Sequence, residues 1–329
     1  MRKTTFALLA FAVSLTAGAQ QRVALREGVI VHPAQSTAYV MLPQGGVGAV
    51  DLASGTMRWT STAADKPLAL AGNLLVSQVA PRSMEARNRL ELVALDVQQR
   101  GGVAVRNSTD LPAGVQAATG QTLEGRFIAT GRADAGGAVV TWLWQPQPIR
   151  GVPPPRRDRP FGNQRGAGPF RAAESLEEVR GMVRMHLSTG RMTRSAVEPE
   201  GLIPAASSTW IVQSPERIGA APAAGRQFES ADGKHILQSE RVSDDREFEK
   251  YRWTVFDRAS GARLGETRSH ISFAPFVVRG GMLVFETTPF GRTPRESEPA
   301  KLRGVHLASG EERWSVAIGE VVYRGPMPP

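Results

Sequence analysis

Five histidines, His32, His186, His235, His270 and His306, are the side chains of this sequence best suited to bind a metal or move a proton near neutral pH. None stands at H-E-x-x-H spacing, which would put two imidazoles on one helix face, so the zinc-hydrolase pattern is absent. There is no cysteine, which excludes thiol nucleophiles, cysteine-ligated metals and disulfides. Gly45-Gly46-Val47-Gly48 has the composition of a phosphate-cradling loop, yet it lies between two β-like segments with no helix behind it and reads as a hairpin. Neither a Walker loop nor a G-x-S-x-G elbow occurs. Asp244 and Asp245, near Glu247 and Glu249, lack EF-hand spacing and read as a solvated acidic loop beside Arg246 and Lys250. Asn107-Ser108-Thr109 fits a glycosylation acceptor. No catalytic residue, metal ligand or cofactor site is expected from these patterns.

The chemistry that the sequence does favour is anion recognition. Lys and Arg number 40 against 31 Asp and Glu, a formal net charge of +9, and 35 of the 40 are arginine. Guanidinium pairs bidentately with carboxylate and phosphate, which ammonium does not. The arginines concentrate in particular stretches. Arg82, Arg87 and Arg89 fall within 80–89, and Arg150, Arg156, Arg157, Arg159, Arg165 and Arg171 within 147–178. Arg292, Arg295 and Lys301 fall within 289–301. Aromatic residues accompany them: Pro160-Phe161-Gly162 is repeated as Pro289-Phe290-Gly291, with Phe170 nearby. The candidate binding set is therefore Arg82, Arg87, Arg89, Arg156, Arg157, Arg159, Phe161, Arg165, Phe170, Phe290, Arg292 and Arg295. Arg and aromatic residues are also enriched in protein interfaces. A set of solvated, Pro- and Gly-rich loops is the alternative reading.

What positions these stretches is a repeat. Asp-Leu-Ala-Ser-Gly at 51–55 returns as His-Leu-Ser-Thr-Gly at 186–190, Asp-Arg-Ala-Ser-Gly at 257–261 and His-Leu-Ala-Ser-Gly at 306–310. A degenerate copy, Asp96 to Arg100, is followed by Gly101 and Gly102. A β-like segment precedes each copy (47–52, 90–97, 182–187, 251–257 and 302–307), and a short extended segment follows. In such a hairpin the Asp side chain bonds turn amides, and Gly supplies the positive φ that closes the turn. Partner strands are legible upstream at 37–42, 73–77, 235–238 and 282–285. Strand, strand, turn, strand at intervals of 45, 90, 71 and 49 residues describes propeller blades of about 40–50 residues, elongated where loops are inserted, and these must stack because one blade cannot bury both its faces. His186 and His306 occupy the Asp slot and read as turn-capping variants. The single helical candidate is 172–185, opened by Glu174, Glu177 and Glu178. The expectation is an all-β chain, a single β-propeller of four-stranded blades, about six in number with five to eight open; 208–212 is the strand candidate for a sixth. The long stretches 80–89, 147–178, 243–250 and 289–301 all fall between second and third strands of a blade, and so should emerge on one rim.

Val-Asp-Leu-Ala-Ser-Gly-x-x-x-Trp at 50–59, echoed from Val305 to Trp314, resembles the repeat of the pyrroloquinoline-quinone-like β-propeller superfamily. Trp59 and Trp314 match the Trp that this family places four residues after Gly, whereas Arg194 and Gly265 stand at the matching positions of two other copies. The resemblance implies two branches. Quinone-dependent dehydrogenases bind the quinone and calcium on the axis, with an adjacent-cysteine disulfide; this chain is shorter, has no cysteine and matches none of those ligands. The non-catalytic branch includes the propeller lipoprotein of the outer-membrane β-barrel assembly machinery, a partner-binding scaffold; its lipidation cysteine is missing here.

The N-terminus supplies an address. Arg2 and Lys3, an apolar run from Phe6 to Leu15, and Ala17-Gly18-Ala19 have the three parts of a secretory signal peptide. The run is shorter than the ~20 residues that span a bilayer, and no later segment reaches that length. The expected organisation is a signal peptide at 1–19 and a propeller domain at 20–329 with an Arg/Pro-rich insertion at 147–178, in a periplasmic or secreted protein. Expected partners are an envelope protein or an acidic polymer, with no nucleic acid and no cofactor. The function expected is a non-enzymatic scaffold; the alternative is an enzyme using the axial funnel, either a quinone-dependent dehydrogenase or a hydrolase without a familiar motif. N-terminal sequencing of the exported protein should begin at Gln20; a chain that begins at Met1 would rule out the cleavage.

Overall fold

The computed structural model describes residues 22–24, 28–119, 125–133, 136–146, 178–195, 210–214, 225–230, 232–242, 251–269, 276–287 and 299–319. The signal segment 1–19, the helical candidate's first residues 172–177, and the acidic loop 243–250 lie outside them.

A short strand β1 (Arg22–Ala24) precedes the first sheet, β2 (Val29–Val31), β3 (Thr37–Met41), β4 (Val47–Asp51) and β5 (Met57–Ser61). The second sheet is β6 (Lys66–Ala71), β7 (Leu74–Gln78), β8 (Arg89–Asp96) and β9 (Gly102–Asp110). The third is β10 (Gly125–Ala133), β11 (Gly137–Pro146), β12 (Val179–His186) and β13 (Met192–Ser195). After β14 (Trp210–Ser214) comes the fourth, β15 (Arg226–Ser230), β16 (His235–Arg241), β17 (Tyr251–Asp257) and β18 (Arg263–Ser269). The fifth is β19 (Phe276–Arg279), β20 (Met282–Thr287), β21 (Lys301–His306) and β22 (Glu312–Ala317). In every sheet neighbours in sequence are neighbours in space, paired antiparallel. The fold is all-β and propeller-like, with five blade-like sheets among the described residues. The strand expected to open a sixth is β14, which pairs with β15 and carries β1 on its other edge, giving one six-stranded sheet. The helical candidate 172–185 is corrected where it is described: Val179–His186 is a strand, its Val183 and Met185 buried on one face by pairing with β11. The helical structure described is one 3-10 turn, Glu85–Asn88.

The turn motif works as its residue types require. Asp51 Oδ1 accepts from the amides of Ala53 and Ser54 at 2.8 and 3.0 Å, Asp96 Oδ1 from Gln98 at 2.8 Å, and Asp257 Oδ1 from Ser260 at 2.8 Å. The Gly that closes each turn has φ between +70° and +80° (Gly55, Gly101, Gly190, Gly261 and Gly310), which costs a side-chain-bearing residue steric strain. The degenerate copy holds one extra residue, accommodated by Arg100 at φ +52°.

These turns also join the sheets. Trp59, four residues past Gly55, lies against Gly101 of the second sheet, where an added Cβ would meet the indole at 2.6 Å. Trp314, four past Gly310, covers Gly55 in the same way at 2.4 Å, and Val105, four past Gly101, covers Gly190 at 2.6 Å. Gly265, four past Gly261, has no side chain to dock; the fourth sheet closes instead by backbone approach, so that a Cβ there would overlap the Leu307 carbonyl. Two residues further along, a polar side chain donates to the next turn's glycine carbonyl: Ser61 to Gly101 at 3.0 Å, Asn107 to Gly190 at 2.8 Å and Thr267 to Gly310 at 3.4 Å. Asn107, the glycosylation candidate, thus has a structural partner.

Hydrophobic cores follow the same junctions. Tyr39, Val47, Ala49, Leu75, Val93 and Leu95 join the first and second sheets. Leu92, Ala94, Phe127, Val140 and Trp142 join the second and third. Phe228, Trp253, Phe285 and Val305 join the fourth and fifth, and Val40, Val50, Val284, Leu302 and Trp314 return the fifth to the first. Among the described residues no such cluster joins the third sheet to the fourth. The register at this sheet also differs. The other four sheets carry a β-bulge between third and fourth strands just before the turn. β13 pairs with β12 without one, Val183 facing Arg194. A one-residue difference in register sends each side chain to the opposite face, so Arg194 points back to the second sheet, its guanidinium donating to Thr109 Oγ1 and the Asp110 carbonyl.

Trp314 is 8% exposed, and replacing a buried Trp by Ala costs about 3–5 kcal/mol. Trp314→Ala is expected to lose that much in urea denaturation, and Arg194→Ala about 1 kcal/mol or less, as for one exposed hydrogen-bonding group.

Candidate functional site

The long connections between second and third strands are placed as anticipated. They join β7 to β8, β11 to β12, β16 to β17 and β20 to β21. Since the five sheets share one strand order, all four leave the same end of their sheets. The first sheet has only the tight turn Leu42–Gly46 there, so the Gly45-Gly46-Val47-Gly48 run is a hairpin, with Val47 opening β4.

Of the candidate binding residues, Arg82, Arg87 and Arg89 are described: the first two lie in the β7–β8 connection and Arg89 opens β8. Each is engaged within the chain. Arg82 Nη2 reaches both carboxylate oxygens of Asp65, at 2.8 and 3.0 Å. Arg87 sits in the 3-10 turn, its carbonyl accepting from the Ala117 amide at 2.6 Å. Arg89 Nε lies 3.1 Å from Asp110 Oδ1, both groups exposed, a pair worth little in water. Arg156, Arg157, Arg159, Phe161, Arg165, Phe170, Phe290, Arg292 and Arg295 lie outside the described residues.

Asp65 organises this end. Its carboxyl group is 5% exposed and also accepts from the amides of Gly46 at 3.3 Å and Ala80 at 2.7 Å. One carboxylate thus ties the first sheet's turn to the base of the second sheet's insertion. Beside it Lys66 is fully buried and paired in register with Gln78. Gln78 donates to the Ala118 carbonyl at 3.0 Å while its Oε1 has no hydrogen-bond partner. Counted from the residue that faces the turn slot, Ser77 and Gln238 share one position of the second strand, and Gln78, Ser239 and Glu286 share the next. All five are buried. At the first of these positions the other sheets bury Val40, Val140 and Phe285. The core therefore turns polar at the insertion end of three sheets. Sequence reasoning missed this; aligning the second strands on the turn slot exposes it.

The histidines have local duties. His32 Nδ1 accepts from the amides of Ala34 and Gln35 at 3.1 and 3.0 Å, and burial lowers its pKa, favouring this neutral acceptor. Burial likewise lowers His235, opposed by the nearby carboxylates of Asp232 and Asp257. His306, in the Asp slot, has Nδ1 3.3 Å from Ser309 Oγ, the capping role expected; His186 holds that slot through backbone bonds. His270 lies outside the described residues. Among the described residues no three acidic or histidine side chains gather as metal ligands, and no helix is long and apolar enough to cross a membrane.

No protein-family model matches the chain, and no curated protein sequence matches it. Among solved structures it is similar to an uncharacterised protein of Listeria monocytogenes EGD-e, with 8% identity and a TM-score of 0.29 over 90% of this chain and 84% of that one. A europium-containing methanol dehydrogenase matches with 12% identity and a TM-score of 0.22, over 90% of this chain and 69% of the other. Neither likeness carries a substrate, cofactor or partner to this chain.

Asp65→Ala leaves the Gly46 and Ala80 amides without their acceptor, a loss of about 1–3 kcal/mol. It should also speed proteolytic cleavage within 80–89. Arg82→Ala should cost less, because that guanidinium is 66% exposed. Urea titration and limited proteolysis of both variants test this order.

Proposed function

We propose that this chain is an exported, non-enzymatic scaffold of the pyrroloquinoline-quinone-like propeller type. It binds an acidic protein face or an anionic envelope polymer through the Arg- and Phe-bearing insertions at one end of its sheets. The observation that carries this reading is the common placement of the four long connections: each is rooted between second and third strands, on stems held by paired backbone. Loops on a rigid scaffold are where binding residues concentrate. Their chemistry supports anionic partners, since the net charge is +9 and arginine supplies most of it. Partner binding needs no catalytic constellation, only donors spread across several loops.

Cross-linked pull-down from intact envelopes tests the reading with the mature chain and an Arg156→Ala/Arg157→Ala/Arg159→Ala variant. A defined partner captured by the native chain and lost with the variant is the expected result. Capture that survives the triple substitution, or no capture by either chain, overturns the loop assignment.

A further inference from the structure

The chain has nine methionines and no cysteine, so the thioether is its only sulfur group and the place where a mild two-electron oxidant acts. Reaction follows access, and burial sorts the described methionines. Met41, Met185 and Met282 are buried, and Met182 and Met192 half-buried. Met57 is 39% exposed, yet its sulfur lies against Gly48, where an added Cβ would meet it at 2.7 Å. Met84 is 67% exposed, the highest value among the exposed large hydrophobic residues described. It stands in the β7–β8 connection, at the end of the sheets from which the other long connections leave.

The backbone beneath Met84 is held on both sides. Asp65 takes the Ala80 amide and the Arg82 guanidinium, and Ser83 Oγ accepts from the Ala86 amide at 3.2 Å. The Met84 carbonyl accepts from the Arg87 amide at 3.3 Å, which opens the 3-10 turn. Beyond it the Arg87 and Asn88 carbonyls accept from the amides of Ala117 at 2.6 Å and Leu111 at 2.7 Å. None of these bonds uses the Met84 side chain. Its thioether is therefore displayed on a fixed turn, and a change at sulfur leaves the turn's own bonds in place.

We propose that Met84 is an oxidation site that switches the contact this insertion makes with a protein partner. A sulfur lone pair attacks one oxygen of hydrogen peroxide or another hydroperoxide; the S–O bond forms as the O–O bond breaks. The hydroxyl proton of the sulfur adduct passes to the departing hydroxide, leaving the sulfoxide and, from hydrogen peroxide, water. Sulfur loses two electrons and the peroxide gains them. The thioether is soft and apolar and fills an apolar pocket, whereas the sulfoxide is polar and chiral and is expelled from one. Met is enriched in protein interfaces, and a polyanion held by guanidinium would not register this change. The switching role rests on the partner-binding reading above; the oxidation site does not.

The test treats the mature chain with hydrogen peroxide, removes the oxidant, and follows each methionine by peptide mapping in a mass spectrometer. Met84 is expected to oxidise about tenfold faster than Met41, Met185 and Met282, and about threefold faster than Met57, with the melting temperature unchanged. In the envelope pull-down the oxidised chain should capture about fivefold less partner, and methionine sulfoxide reductase should restore it. Met84→Leu should capture like native and ignore peroxide; Met84→Gln should capture weakly without it and melt like native. Oxidation of Met84 no faster than Met57, undiminished capture by the oxidised native chain, or equal loss in Met84→Leu would each overturn the proposal. Capture that survives the Arg156/Arg157/Arg159 substitutions but falls on Met84 oxidation supports it while overturning the loop assignment above. No capture by the untreated native chain overturns the scaffold reading and the switching role together, and the oxidation order then decides the site by itself.

Discussion

Among the described residues, four of the five blade-like sheets meet the next one at the position four residues beyond the turn glycine. Trp59, Trp314 and Val105 each press on the next turn at a glycine, where no Cβ intervenes, and the hydrophobic cores lie behind those contacts. The glycine therefore has two jobs. Its positive φ closes its own hairpin, and its missing side chain receives the neighbour. Where Gly265 replaces the docking residue, the gap is closed by bringing backbones together, and the same junction retains its polar latch from Thr267 to the Gly310 carbonyl. The interaction tolerates a change in the inserted group as long as the turn glycine and the bulge remain.

Where the bulge is missing, the described residues show no such contact with the next sheet. At β12–β13 the ladder continues in simple register, and Arg194 turns to the second sheet rather than onward. One residue of register decides whether a side chain fastens the next blade or repeats an attachment already made.

Several features were legible in advance because they rest on local chemistry. Asp, Ser and Gly at fixed offsets specify a hairpin wherever they fall, so the strands flanking 51–55, 257–261 and 306–310 could be placed from residue types alone. The roles of His306 and the Gly45–Gly48 run followed from the same logic. The strand at 208–212 was visible as a strand but not as a partner of β15, because strand propensity does not name the neighbouring strand. Arg82 and Arg89 were visible as charges, while Asp65, the group that orders Arg82 and the Gly46 turn, gave no signal: its partners lie 17 and 19 residues away. The run 172–185 suggested a helix by composition, and from Val179 on pairing with β11 overrode it.

The amino-acid sequence by itself determined the repeat, its turn chemistry, the all-β class, the excess of arginine and the position of the insertions between second and third strands. Each is a property of residue type and short-range spacing, and backbone sterics and side-chain reach act over a few residues. Only the tertiary structure decided which sheets are joined, that β14 and β1 extend the fourth sheet rather than found another, and that the core becomes polar at the insertion end. Those outcomes depend on register and on contacts between residues distant in the chain, and a one-residue bulge, invisible in composition, reverses the side from which every side chain of a strand is read.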